Sequence, residues 1–174
     1  TYRESDIGTL NRVVRMTYHN KQFSSEKIIV DKIPGAANHN GGRIKFGPDG
    51  FLYITTGDAL NPSLAQDKNA LAGKILRFNT QSNQTEVYSY GHRNPQGITW
   101  DSEGNLWETE HGQTATDEVN LIEQGKNYGW PTIREDEKQS GMESPRIQSG
   151  SNTWAPAGVA FLNGSLYFAG LRSQ

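Results

Sequence analysis

The sequence predicts an all-β fold, and three observations carry that prediction. Segments 42–58, 97–109 and 158–170 share one layout: a short strand, a tight turn closed by glycine, and a second strand. Short runs of alternating polar and apolar residues follow the first two segments. The composition, with 19 glycines, seven prolines and 33 % hydrophobic residues, suits short strands joined by turns rather than long helices.

Arg12-Val13-Val14-Arg15-Met16-Thr17-Tyr18 and Lys27-Ile28-Ile29-Val30 read as two strands near the start. The first glycine-closed hairpin follows, and after it come Lys74-Ile75-Leu76-Arg77-Phe78 and Glu86-Val87-Tyr88, separated by an Asn/Gln/Ser turn. Residues 63–71 have Asn and Gly around them and read as a loop with one helical turn. The second hairpin joins Gly97-Ile98-Thr99-Trp100 to Asn105-Leu106-Trp107-Glu108-Thr109 through Asp101-Ser102-Glu103-Gly104, and Glu118-Val119-Asn120-Leu121-Ile122 is its next strand. The third hairpin lies near the end of the chain.

The repeats start at Gly42, Gly97 and Gly158, so they are spaced 55 and 61 residues (42 to 97 to 158). That is slightly longer than the roughly 40 to 50 residues of common propeller blades, and it leaves room for two more strands after each hairpin. The expected architecture is a β-propeller of four-stranded antiparallel blades, in one partial domain 1–174. It divides into an outer half-blade 9–34, a blade 38–91, a blade 92–150 and an inner half-blade 154–174. A propeller closes a ring of about four to eight blades, which hides the sheet edges. About three blades' worth cannot close a six-bladed ring, so the chain is expected to be a piece of a longer protein, or else to close by pairing with a second chain.

Seventeen basic and 19 acidic residues leave a net charge of −2. Without clustered Lys and Arg, counterion release cannot drive nucleic-acid binding, and no polybasic membrane patch exists. There is no cysteine, so disulfides and thiolate metal sites are excluded. No apolar run approaches the roughly 20 residues of a membrane span, and TYRESDIG lacks the layout of a signal peptide.

Chemistry-bearing residues collect at the hairpin mouths. His39, in Asn38-His39-Asn40-Gly41-Gly42, enters the first hairpin, where a neutral imidazole can take a proton near pH 7; the plain alternative is a loop histidine bonded to backbone. Arg93-Asn94-Pro95-Gln96 enters the second hairpin at the equivalent position, so both loops are expected to open on one end of the ring. Arg93 offers a fork of donors and Asn94 and Gln96 neutral hydrogen bonds; an inter-blade salt bridge is the structural alternative for the arginine. Glu110-His111-Gly112-Gln113 leaves that hairpin ahead of Asp117 and Glu118, and acids after such a loop suit a hard cation such as calcium, although EF-hand spacing is absent. His39, His92 and His111 lack paired zinc spacing. Asp58 and Asp67 lie in the loop after the first hairpin, where they can face the same mouth; exposed turn acids are the plain reading. Trp100, Trp107, Trp130 and Trp154 read as inter-blade packing, with Trp130 and Trp154 beside glycine or proline, where a ring can also line a pocket. A phosphate-cradling loop, a G-x-S-x-G elbow and a dinucleotide fingerprint are all absent.

The combination NHNGGRIKFGPDGFLYITTGD, YGHRNPQGITWD, TEHG and DEVNLIEQGKNYGWP resembles the soluble quinoprotein glucose/aldose sugar dehydrogenases, and the similarity runs from about Asn11 to the C-terminus. The resemblance implies a six-bladed propeller, periplasmic or secreted, that uses pyrroloquinoline quinone and calcium to oxidise the anomeric carbon of an aldose such as glucose to the lactone. The partners implied are the sugar and an external electron acceptor. It implies His39 as general base, Arg93 beside the quinone carbonyls, and Asn94 and Gln96 in the cofactor pocket. Arg172 would lie at the cofactor's acidic edge. The main-chain carbonyls of Gly112 and Gln113 would hold the calcium, with Glu118 and Tyr128 resembling a second, structural calcium site. Asn38 departs from the acid that glucose-specific members often carry there, and Gln113 stands where some have proline. The first and last blades are not in this chain, so the piece alone is expected to be inactive. The rival expectation is a non-catalytic interaction propeller of the hedgehog-interacting type.

Overall fold

The structure of the chain, a computed structural model, describes residues 2–4 and 8–172. Its strands form four antiparallel sheets in chain order. β1 (Tyr2–Glu4), β2 (Gly8–His19) and β3 (Gln22–Pro34) make the first. β4 (Ile44–Phe46), β5 (Leu52–Thr56), β6 (Lys74–Asn79) and β7 (Gln84–Tyr90) make a four-stranded meander. β8 (Pro95–Trp100), β9 (Leu106–Glu110), β10 (Glu118–Ile122) and β11 (Ile147–Gln148) make another. β12 (Pro156–Leu162) and β13 (Ser165–Gly170) form the last hairpin. The helix α1 is a single turn, Ser63–Gln66.

The sheets stack face to face, so the central strands are buried on both sides. All five residues of β5 are buried, and Leu52, Tyr53 and Ile54 alternate between two cores. Leu52 and Ile54 join Val30, Ile33, Leu76 and Phe78 against the first sheet, while Tyr53 joins Ile75, Ile98, Leu106, Ile122 and Tyr128 against the next. At about 1.5–3 kcal/mol per fully buried side chain, these two layers fix the sheets to one another. Trp100 packs edge-on against Tyr53, ring centroids 5.0 Å apart, across the second interface. β8 lies beside β4 on one side and β12 on the other. A Cβ on Gly97 would sit 2.5 Å from the Ala157 carbonyl oxygen and 2.8 Å from the Val159 nitrogen, so only glycine lets β8 and β12 approach this closely. First strands side by side and meandering four-stranded sheets radiating from them are the architecture of a β-propeller, present here in part.

Two strands were not expected from the sequence. β1 pairs with the start of β2, and the two-residue β11 pairs only with Glu118 and Val119, too short to leave a periodic signature. β2 and β3 also run further than the apolar alternation, because their shared hairpin continues over exposed residues to a tip where Tyr18 and Phe23 rings meet at 4.9 Å. The expected inner half-blade runs into residues 173 and 174, which lie outside the described residues.

Candidate functional site

The entrance loops of β4 and β8 and the exit loops of β5 and β9 meet at one end of the sheets. His39 stands in the loop before β4 with φ 57, a left-handed conformation that costs a non-glycine residue about 1 kcal/mol. Its carbonyl accepts the Ala59 N–H at 3.1 Å, and the close pass of Gly57 holds it there: a Cβ on Gly57 would lie 2.0 Å from the His39 oxygen. So fixed, the His39 ring places Nδ1 2.9 Å from Oδ1 of Asp58.

Asp58 corrects the reading of it as an exposed turn acid: it is 1 % exposed. Oδ1 also accepts the Leu60 N–H at 2.9 Å, and Oδ2 accepts the indole Nε1–H of Trp130 at 2.9 Å. A carboxylate held by these donors keeps the His39 proton on Nδ1 and leaves Nε2 with its lone pair. Trp130 is likewise more than inter-blade packing, since it orients the acid and lines the cavity beside it. The sequence offers Trp130 as a pocket ring and Asp58 as a loop acid but not their contacts with each other and with His39, because Asp58 lies 19 positions from His39 and 72 from Trp130. The position of Asp58 straight after a buried strand was the signal available.

Arg93 lies against the same group. Its carbonyl accepts the Asp58 N–H at 2.8 Å, and its own N–H donates to Oε1 of Glu110 at 3.0 Å. The guanidinium sits 5.3 Å from the Trp130 ring centroid and gives one hydrogen bond, Nη1 to the His111 carbonyl at 3.2 Å. Its Nε is buried without a partner among the described residues. No carboxylate reaches ion-pair distance of it among the described residues, so the inter-blade salt bridge is not what holds this arginine. Burial pushes its pKa down, opposed by the charges of Asp58, Glu110 and Asp117. Asn94 is buried next to it, and its Oδ1 accepts the Gly41 N–H at 3.2 Å and the Gln96 Nε2–H at 2.9 Å, so Asn94 and Gln96 span the entrances of β4 and β8.

A cavity of about 20 Å³, room for one ion or water, opens beside Arg93 and is lined also by Glu110, Gly112, Gln113, Glu118 and Tyr128. Asp117 shapes its loop. Oδ1 takes the Gly112 N–H at 2.9 Å, while Oδ2 takes those of Trp154 and Ala155 at 2.7 and 2.8 Å, tying the loop to the start of β12. Among the described residues the Gly112 and Gln113 carbonyls accept no hydrogen bond. Glu118 is half-buried, and desolvation together with the Glu110 charge pushes its pKa up to about 8. Glu108 is fully buried with Oε1 unpartnered, and burial raises its pKa well above the carboxylate range. Open carbonyls and desolvated carboxylates are the donor set a hard cation fits. The Tyr128 hydroxyl is already committed, donating to Leu121 O at 2.6 Å and accepting from Glu123 N at 2.8 Å, which leaves its main-chain carbonyl as what it could offer.

The remaining expectations fall elsewhere. Arg172 is exposed beyond β13, its N–H on the Trp154 carbonyl, and it does not line the cavity. Asp67 is exposed. The three histidines serve three different partners: His39 meets Asp58, His92 meets Glu110 and Ser89, and His111 meets the Pro156 carbonyl.

An aldose sugar dehydrogenase from Streptomyces coelicolor, solved in its PQQ-bound form, superposes with a TM-score of 0.87 at 40 % identity, over 92 % of this chain and 52 % of that one. The aldose sugar dehydrogenase YliI of Escherichia coli is 37 % identical over 64 % of this chain and 34 % of its own length. Quinoprotein glucose dehydrogenase B of Acinetobacter calcoaceticus is 29 % identical over 86 % of this chain and 38 % of its own. The chain thus spans about half or less of these relatives. The glucose/sorbosone dehydrogenase family model matches residues 1–172. With that match over nearly its whole length, the chain belongs to the glucose/sorbosone dehydrogenase family.

Proposed function

We propose that this chain is part of a pyrroloquinoline quinone- and calcium-dependent dehydrogenase that oxidises the anomeric carbon of aldoses to the lactone, with His39 as the general base. The observation that carries the reading is the His39–Asp58–Trp130 relay beside an arginine that forms no ion pair among the described residues. The residues present fit the cofactor as one wall of a site: the unpartnered Arg93 Nε calls for an acceptor, and the open Gly112 and Gln113 carbonyls suit calcium. The quinone, when bound, supplies the two-electron acceptor, and calcium the polarisation of its oxygens.

The chain's own residues do the rest. His39 Nε2 takes the proton of the anomeric hydroxyl as Nδ1–H stays on Asp58, and the buried carboxylate stabilises the imidazolium that forms. Trp130 and Leu60 keep Asp58 from turning away. Arg93 faces developing negative charge from a site where burial strengthens the interaction. Asn94 and Gln96 bind and orient, the Gly112 and Gln113 carbonyls would hold the calcium of the cofactor site, and Glu118 with the Tyr128 carbonyl would hold a second, structural calcium. Arg172, exposed at the far rim, would reach a ligand only from outside this cavity. Periplasmic or secreted placement and an external electron acceptor follow from the same reading.

The test is dye reduction by the full-length protein with the quinone, calcium and glucose or other aldoses. Turnover in wild type and its loss in His39→Ala support the reading. Absence of turnover in wild type favours the interaction-module alternative, and undiminished turnover in His39→Ala removes His39 as base.

A further inference from the structure

Glu110 lines the cavity with Glu118, yet both of its oxygens are already engaged. It closes β9 at 4 % exposure, opposite Pro95, which has no N–H to give the strand ladder. Its side chain reaches instead into the entrance loop of β8. Oε1 accepts the Arg93 N–H at 3.0 Å, and Oε2 meets Nδ1 of His92 at 3.2 Å. The residue therefore bridges an exit loop and an entrance loop of the site.

His92 has no part in the roles assigned above, and it is fully buried. Its main chain is pinned just ahead of β6: the His92 N–H donates to the Gly73 carbonyl at 3.2 Å, and a Cβ on Gly73 would stand 2.6 Å from the His92 oxygen. Its ring stacks on Tyr128, with centroids 4.9 Å apart and planes 18° from parallel. Nε2 lies 2.8 Å from Ser89 Oγ, itself fully buried. An ionised carboxylate only accepts, so the His92 proton sits on Nδ1, aimed at Glu110, and Nε2 accepts the Ser89 hydroxyl. Serine, imidazole and carboxylate in that order leave the Glu110 side chain one orientation. The Arg93 main chain that it holds is also the one whose carbonyl accepts the Asp58 N–H at 2.8 Å. One buried carboxylate thus fixes the backbone from which the arginine projects and to which the acid behind His39 is tied.

We propose that Glu110 is a positioning residue: a clamp, held in its rotamer by His92 and Ser89, that fixes the main chain of Arg93 and through it the Asp58–His39 pair. The proposal rests on the reading of this end of the sheets as a dehydrogenase site. Acceptor geometry, not charge, is what the clamp supplies. In Glu110→Gln the amide oxygen can still take the Arg93 N–H while the NH₂ donates to His92 Nδ1, which moves the ring proton to Nε2, where it meets Ser89 Oγ.

The experiment compares full-length wild type, Glu110→Gln and Glu110→Met. Both variants lose the charge and keep the size, and only the second loses the acceptor. Three quantities are read: the exchange rate of the Arg93 amide in the quinone-free protein, the His92 tautomer by nitrogen-15 NMR, and kcat against KM under saturating quinone and calcium. In Glu110→Met the Arg93 amide is expected to exchange about tenfold faster, the low end for a bond to a charged acceptor, and kcat to fall by about 10- to 100-fold with KM little changed. Glu110→Gln is expected to restore most of the amide protection and of kcat, with the His92 proton moved from Nδ1 to Nε2. Equal behaviour of the two variants, in loss or in retention, overturns the clamp, as does a wild-type His92 with its proton on Nε2 alone. If Glu110→Met does not fold, the other two proteins decide: the tautomer swap with a protected Arg93 amide supports the clamp, and an unchanged tautomer or an unprotected amide overturns it. A wild type that oxidises no aldose overturns the proposed function separately, and the exchange and tautomer measurements still decide the clamp.

Discussion

Replacing Asp58 by asparagine keeps the size of a side chain that is 1 % exposed but removes its capacity to accept on every side. The carboxylate receives His39 Nδ1–H and Leu60 N–H on Oδ1, and Trp130 Nε1–H on Oδ2, all at 2.9 Å. An amide must place its NH₂ at one of these positions. Toward Trp130, it faces another donor and leaves a buried N–H unsatisfied, at about 1–3 kcal/mol. Toward His39, it donates to Nδ1, so the ring proton moves to Nε2 and the base is blocked. Either arrangement also removes the charge that stabilises the imidazolium. The expected result is a fall in kcat of about 10²- to 10⁴-fold, the range of a general base's contribution, with little change in KM. The assay is dye-linked glucose oxidation by the full-length protein under saturating quinone and calcium, paired with nitrogen-15 NMR of the His39 tautomer. A variant with kcat within about twofold of wild type, about 0.4 kcal/mol on the barrier, would refute the orienting role of Asp58.

Trp130→Phe keeps the ring but deletes the donor to Asp58 Oδ2, and is expected to lower kcat by about tenfold, the worth of one hydrogen bond to a charged group; an unchanged kcat means Trp130 acts by packing alone. Gly57→Ala sets a methyl group 2.0 Å from the His39 carbonyl oxygen, so the His39 loop must shift; thermal melting together with kcat tests this, and a variant equal to wild type in both would show that the loop yields freely. Lys74 is 0 % exposed and donates to the carbonyls of Leu64, Ala65 and Ala72, closing the loop around α1; Lys74→Met strands those acceptors and is expected to cost about 3 kcal/mol in denaturant unfolding. Glu118 has its pKa raised from 4.5 to about 8, so between those values the folded state holds a proton that the unfolded state has released, and the stability of the metal-free protein falls as pH rises through that window. Calcium should restore more of the melting temperature at about pH 8 than at about pH 5, where protonation competes with the metal; equal effects at both would remove Glu118 from the cation site.

Periodicity along the chain was enough for the fold. Leu52-Tyr53-Ile54 alternates between two cores, and Gly97 and the glycine-closed turns recur at blade spacing, because strand pairing and tight turns are written in neighbouring residues. The equivalent positions of His39 and Arg93 ahead of two hairpins placed them at one end of the sheets, and the structure brings both to the wall that holds Asp58 and Trp130. Tertiary structure alone decided the burial of Asp58 and Lys74, since an isolated acid after Gly57 and a lysine in a strand both read as solvated until their partners from distant loops are in place. The same holds for the two guanidiniums at Trp130. Arg93 and Arg134 lie 41 positions apart (93 to 134), and only the fold turns both toward one indole.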